Sequence, residues 1–84
     1  MNQELRNDPI FWLFRADPRQ TMYVYRLGPD GRLIKPYLMS CEPYPDLFED
    51  LQAAHGGGEF RILIRQGRKM LFSGAIAIEP LPLR

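Results

Sequence analysis

The chain has one cysteine and one histidine, Cys41 and His55. A lone cysteine closes no internal disulfide, so a reducing compartment is expected and the expected location is cytoplasmic. Structural zinc needs more Cys and His ligands than these two residues supply, so neither a metal nor a cofactor is expected. Long hydrophobic runs are also missing. Nothing approaches the roughly 18 consecutive apolar residues of a membrane span. The opening MNQELRNDP carries charge where a secretory signal has an apolar stretch. There is no excess of charge of one sign either: eleven basic and ten acidic residues leave a net charge of +1. That balance weighs against a general binder of nucleic acid or of anionic membranes, which carries a marked basic excess.

At 84 residues the chain is long enough for one domain with a modest core. Association with another chain is a common remedy for so small a core. Its 45% hydrophobic residues exclude disorder as the resting state.

The local signals come in a clear order. Ile10–Phe14, IFWLF, is bracketed by Asp8-Pro9 and Asp17-Pro18. Asp8 suits an N-cap, Pro9 the first helical position, and Pro18 disfavours helix at Asp17, so a short helix is expected. Its Phe11, Trp12 and Phe14 either enter the core or anchor a contact with another chain. Residues 20–27, QTMYVYRL, read as a strand. Gly28-Pro29-Asp30-Gly31 turns the chain, with Pro in the second turn position and Gly31 at positive φ. Residues 32–40 return as a strand that Pro36 either confines to an edge or breaks around residues 35–37.

The next segment predicts a helix that begins either with Asp46 as cap and Glu49 three residues on, or with Pro45 as its first residue. Leu47, Leu51 and Ala54 share its apolar side, with Phe48 beside them, and Gly56–Gly58 end it. Residues 59–66, EFRILIRQ, alternate: Phe60, Ile62 and Ile64 point one way, Arg61, Leu63 and Arg65 the other. After a turn at Gly67-Arg68, residues 70–79 form a last strand. Met70, Phe72, Ile76 and Ile78 are expected in the core, Gly74 at a bulge or bend, and Pro80, Leu81 and Pro82 beyond its end.

The expected fold class is therefore α+β: a four-stranded, mainly antiparallel sheet in β-β-α-β-β order, one amphipathic helix on one face, and a short N-terminal helical segment. Residues 1–19 read as that N-terminal segment and 20–84 as a single ββαββ domain. Local pattern leaves the strand order open.

No motif points to catalysis. His55-Gly56-Gly57-Gly58 matches the glycine run that supplies oxyanion-hole amides in lipases, but no Gly-x-Ser-x-Gly elbow or second histidine accompanies it. The run reads as a helix end leading into a strand. Pairing Cys41 with His55 as thiolate and imidazole would have to bridge a helix of roughly 12–15 Å, and a lone cysteine is more often a small core residue. Gly67-Arg68-Lys69 lacks the spacing of a phosphate loop. Glu42, Asp46, Glu49 and Asp50 are explained by helix-end electrostatics and solvation. The chain is expected not to be an enzyme.

Contact residues are the better candidates. With the isoleucines of EFRILIRQ turned towards the helix, Arg61, Leu63 and Arg65 face away from it. Tyr23 and Tyr25 join them if the first strand has one parity and enter the core if it has the other. Arg26 and Arg68 add charge. Tyr and Arg together favour protein interfaces, and aromatic groups among arginines also bind single-stranded nucleic acid. The first reading is a protein-interaction module that is expected to self-associate, and the second is a nucleic-acid binder.

From Tyr23 to Ile78 the chain resembles a type of small ββαββ domain found in phage and prophage proteins. The resemblance is carried by Tyr25-Arg26, a Gly-rich turn, a short acidic helix, the strand entry Gly56-Gly57-Gly58-Glu59-Phe60-Arg61, and the turn Gly67-Arg68. It implies a virus or mobile-element origin and non-enzymatic work as a virion component or host-factor-binding protein, in the host cytoplasm or the virion. It assigns no catalytic residue.

Overall fold

The computed structural model describes residues 6–80. They form α1 (Pro9–Arg15), β1 (Thr21–Leu27), β2 (Leu33–Cys41), α2 (Leu47–His55), β3 (Gly58–Gln66) and β4 (Lys69–Ile78). The strands make one antiparallel sheet in the order β2-β1-β3-β4, which gives the α+β class and ββαββ order read from the sequence. Two hairpins lie side by side, with their first strands β1 and β3 paired at the centre. Expectations for residues 1–5 and for Leu81 and Pro82 fall outside the described residues.

Both helices pack on the same side of this sheet. Met22, Val24, Phe60, Ile62, Ile64 and Phe72 line that side, and Trp12 and Leu13 of α1 and Leu47 and Leu51 of α2 complete one buried cluster with them. Full burial of side chains such as Phe60, Ile62 and Leu51 contributes roughly 1.5–3 kcal/mol each.

α1 starts as its sequence directs. Asp8 Oδ1 accepts from the Ile10 N–H at 2.9 Å, and Pro9 opens the helix. The helix ends at Ala16, which takes a left-handed conformation. Trp12 is buried, and its indole N–H donates to the Arg6 carbonyl at 2.9 Å.

α2 starts where the first alternative put it, with Asp46 at the N-cap position and Pro45 before the helix, but the Asp46 side chain makes no cap hydrogen bond. The first turn is tied instead by Asp50, whose N–H donates to the Asp46 carbonyl and whose carboxylate accepts the Tyr44 hydroxyl at 2.8 Å. Phe48 packs against the core beside Leu47 and Leu51, as expected, whereas Ala54 is exposed. Gly56 ends the helix in the left-handed region, as expected.

In the first hairpin the Gly31 N–H donates to the Gly28 carbonyl at 2.9 Å and Gly31 has φ 79°, as the turn pattern predicts. Pro36 does both things expected of it. β2 is an edge strand, and its pairing with β1 is interrupted between Ile34 and Met39. Residues 35–38 all lie opposite the single residue Tyr25.

In the second hairpin the bulge falls at Leu71 rather than Gly74, which pairs in register with Ile62. Leu71 joins Phe72 against the core, and the added residue sets Met70 opposite Arg65, on the face away from the helices and half exposed. The expectation of Met70 in the core is corrected for that reason. Gly74 serves Phe72: a Cβ there would lie 2.7 Å from the ring carbon Cζ.

Candidate interaction face

Alternation along β3 turns Arg61, Leu63 and Arg65 away from the helices, because Phe60, Ile62 and Ile64 are fully buried on the other side. Antiparallel pairing then decides the parity of β1. Met22 and Val24 sit opposite Ile64 and Ile62, so Tyr25 lies opposite Arg61 and Tyr23 opposite Leu63 on the open face.

A third tyrosine joins them from the interrupted part of β2. The Tyr37 ring lies 5.3 Å from Tyr23 and 6.0 Å from Tyr25, edge to face in both cases. Sequence reading passed over Tyr37. The signal available was Pro36, which frees the ladder and lets the following residue swing over the tyrosines of β1. Tyr37 is 45% exposed, so the cluster stands open to solvent.

Arg61 lies across the sheet, its Nη1 donating to Ser73 Oγ at 3.3 Å. Arg65 is exposed, with Met70 opposite it. Among the described residues the ion pairs are Arg19–Asp17 and Arg32–Asp30, and neither Arg61 nor Arg65 has a carboxylate partner. Glu59 lies at the far end of the strand, opposite Ala77.

The other candidates are elsewhere. Arg26 belongs to the helix-covered side, its guanidinium 5.4 Å from the Phe60 ring centroid. Alternation by itself separates Arg26 from Tyr25, so this placement was legible in the sequence. Phe11 packs edge to face on buried Trp12, with Arg15 over its ring. Phe14 is 68% exposed on the outer side of α1, away from the tyrosines. Arg68 is exposed in the turn between β3 and β4.

The structure does not bring Cys41 and His55 together. Cys41 pairs with Met22 on β1, whereas His55 lies against Phe60, which pairs with Arg26. Four residues along the sheet separate the two places, roughly 13 Å. Burial, with Glu42 second, raises the Cys41 thiol above its ordinary pKa, which disfavours the thiolate. Among the described residues no group of three or more His, Cys, Asp or Glu side chains converges to hold a metal. No helix there is long and apolar enough to cross a membrane.

The glycine run after His55 has a packing role. Gly57 is buried at φ 107°, and a Cβ on it would lie 2.7 Å from the Pro80 nitrogen and 2.9 Å from the Ile78 carbonyl oxygen. The end of β4 therefore crosses closely over the start of β3.

Comparison of the chain with protein-family models, curated proteins and solved structures finds no match.

Proposed function

We propose that this chain is a non-enzymatic protein-interaction module that binds through the open face of its sheet, with Tyr23, Tyr25, Tyr37, Arg61, Leu63 and Arg65 as the contact patch. The observation that carries the reading is the edge-to-face tyrosine cluster beside two arginines that have no carboxylate partner among the described residues. Tyrosines held against one another lose little conformational freedom on binding and offer a large amphipathic surface. Tyr and Arg are also the residues in which interface binding energy concentrates. The partner fitted to this face presents carboxylates around an apolar centre, to meet the arginines and the tyrosine–Leu63 surface. The phage or mobile-element setting, as virion component or host-factor binder, rests on the sequence resemblance.

The test is a photo-crosslinking amino acid placed at Tyr37 or, as control, at Glu49 on α2. Adducts with a protein partner are expected from position 37 and not from 49. They should disappear in the Arg61→Glu/Arg65→Glu variant while its circular dichroism stays unchanged. Adducts from position 49 alone, or adducts indifferent to the charge reversal, would overturn the proposal.

A second reading, single-stranded nucleic acid, is favoured by tyrosines and arginines sharing one uncovered face. It requires oligonucleotide affinity that falls steeply with salt. The net charge of +1 favours the protein partner.

A further inference from the structure

The open face carries both charges of a contact on one strand. Alternation puts Glu59, Arg61, Leu63 and Arg65 on it, since Phe60, Ile62 and Ile64 are buried against the helices. Glu59 and Arg65 are both exposed and stand six residues apart, roughly 20 Å along β3. Neither takes part in an ion pair among the described residues. Between these two ends the centre of the face is Leu63 on β3 and Tyr23 and Tyr25 on β1, with Tyr37 packed against both rings. Tyr37 is 45% and Met70 48% exposed, so this centre is open, and both helices lie on the other side of the sheet.

We propose, on the footing of that open-face reading, that the partner is a second copy of this chain, packed open face to open face about a two-fold axis. The axis crosses the strands level with the Val24–Ile62 pair. The strands of the two copies then run in opposite directions, and each Glu59 meets Arg65 of the second copy, once at either end of the interface. Sheets packed face to face stand about 10 Å apart, a gap that a glutamate and an arginine side chain span together. Tyr23 and Tyr25 lie one residue to either side of the axis, so Tyr23 faces Tyr25 of the second copy and Tyr25 faces its Tyr23. Arg61 faces Leu63 of the second copy, with Tyr23 beside it, whose ring is a favourable neighbour for a cation. Arg61 is already drawn across its own sheet to Ser73 Oγ, which leaves Arg65 as the arginine that reaches over.

Charge selects this arrangement over its neighbours. A two-fold running along β3 would stack Arg65 on Arg65 and Glu59 on Glu59. Moving the crossing axis one residue, to Leu63, would set Arg61 against Arg65, and moving it one residue the other way would set Arg61 against Arg61. Of these, the axis level with Ile62 alone places opposite charges at both ends. The second sheet also adds a covered layer to a chain of only 84 residues, whose own core is small.

Sedimentation equilibrium of the whole chain tests this proposal. A monomer–dimer equilibrium is expected. Glu59→Arg and Arg65→Glu should each weaken it on the order of tenfold, because both symmetric ion pairs become repulsive. Both residues are exposed, so circular dichroism should stay unchanged. The double variant E59R/R65E restores opposite charges at both ends and should recover the wild-type constant. A chain that stays monomeric at all concentrations would overturn the proposal, as would single variants that dimerise like wild type or a double variant without recovery. The photo-crosslinker at position 37 separates this outcome from the fate of the open-face reading. Dimers of the chain itself support the two-fold. Adducts to a different protein from a monomeric chain, lost on reversing Arg61 and Arg65, overturn self-pairing alone, and the absence of any adduct removes both.

Discussion

Replacing Gly57 by alanine tests the reading of the His55–Gly58 run as packing rather than chemistry. Two costs arise at this position. A non-glycine residue at φ 107° is strained by about 1–2 kcal/mol. The added methyl would stand 2.7 Å from the Pro80 nitrogen and 2.9 Å from both the Ile78 oxygen and the Pro80 Cα. These neighbours are backbone atoms at the end of β4 and cannot swing aside as a side chain would. Overpacking of this sort costs about 1–3 kcal/mol, giving about 2–5 kcal/mol in all. A domain of 84 residues has roughly 4–13 kcal/mol of stability, so the variant should be severely weakened.

Gly56→Ala is the matched control. Its φ of 73° imposes the conformational cost, but nothing lies within 4 Å of the added carbon, so about 1–2 kcal/mol is expected. In urea unfolding at a slope near 1 kcal/mol/M, the Gly57 variant should lose about 1–3 M more of its midpoint than the Gly56 variant. Equal losses would refute the close approach of β4 and leave the glycine run without its structural explanation.

Ile62→Ala should cost about 2–5 kcal/mol in the same assay, since the residue is fully buried. Leu63→Ala, on the half-exposed open face, should cost clearly less, and a reversed ranking would invert the face assignment. Asp17 is held down to a pKa of about 2 by the side-chain and backbone hydrogen bonds it accepts from Arg19. With the folded-state pKa depressed, this contribution is present above the ordinary value of 3.8 and is lost as pH falls through about 2. Carboxyl chemical shifts should report the low pKa, and Arg19→Ala should move it back up. The Tyr44 phenol is pushed above the ordinary tyrosine range by burial first and by its hydrogen bond to Asp50 second. A raised folded-state pKa means stability that is present below pH 10 and declines as pH climbs past that ordinary value. Asp50→Asn should lower the phenol's pKa, which ring resonances followed through an alkaline titration would show.

Local backbone geometry made several features legible from residues alone. A strand repeats every two residues whatever it packs against, so EFRILIRQ separated its isoleucines from its arginines before any neighbour was known. Asp8-Pro9, Gly31 and Gly56 acted through their own dihedral preferences and capping atoms, and each helix end or turn they marked is present. Arg26 was legible on the same grounds, since it alternates with Tyr25. The rest depended on how strands meet. The side on which Tyr23 and Tyr25 lie follows from β1 pairing with β3, a contact between residues roughly forty positions apart. Met70 reached the open face because a bulge at Leu71 shifted its register, and Tyr37 reached the tyrosine cluster because β2 has slack opposite Tyr25. Register and bulges are set by the joint packing of side chains from several strands. No single segment contains that information, so only the assembled sheet could place the third tyrosine.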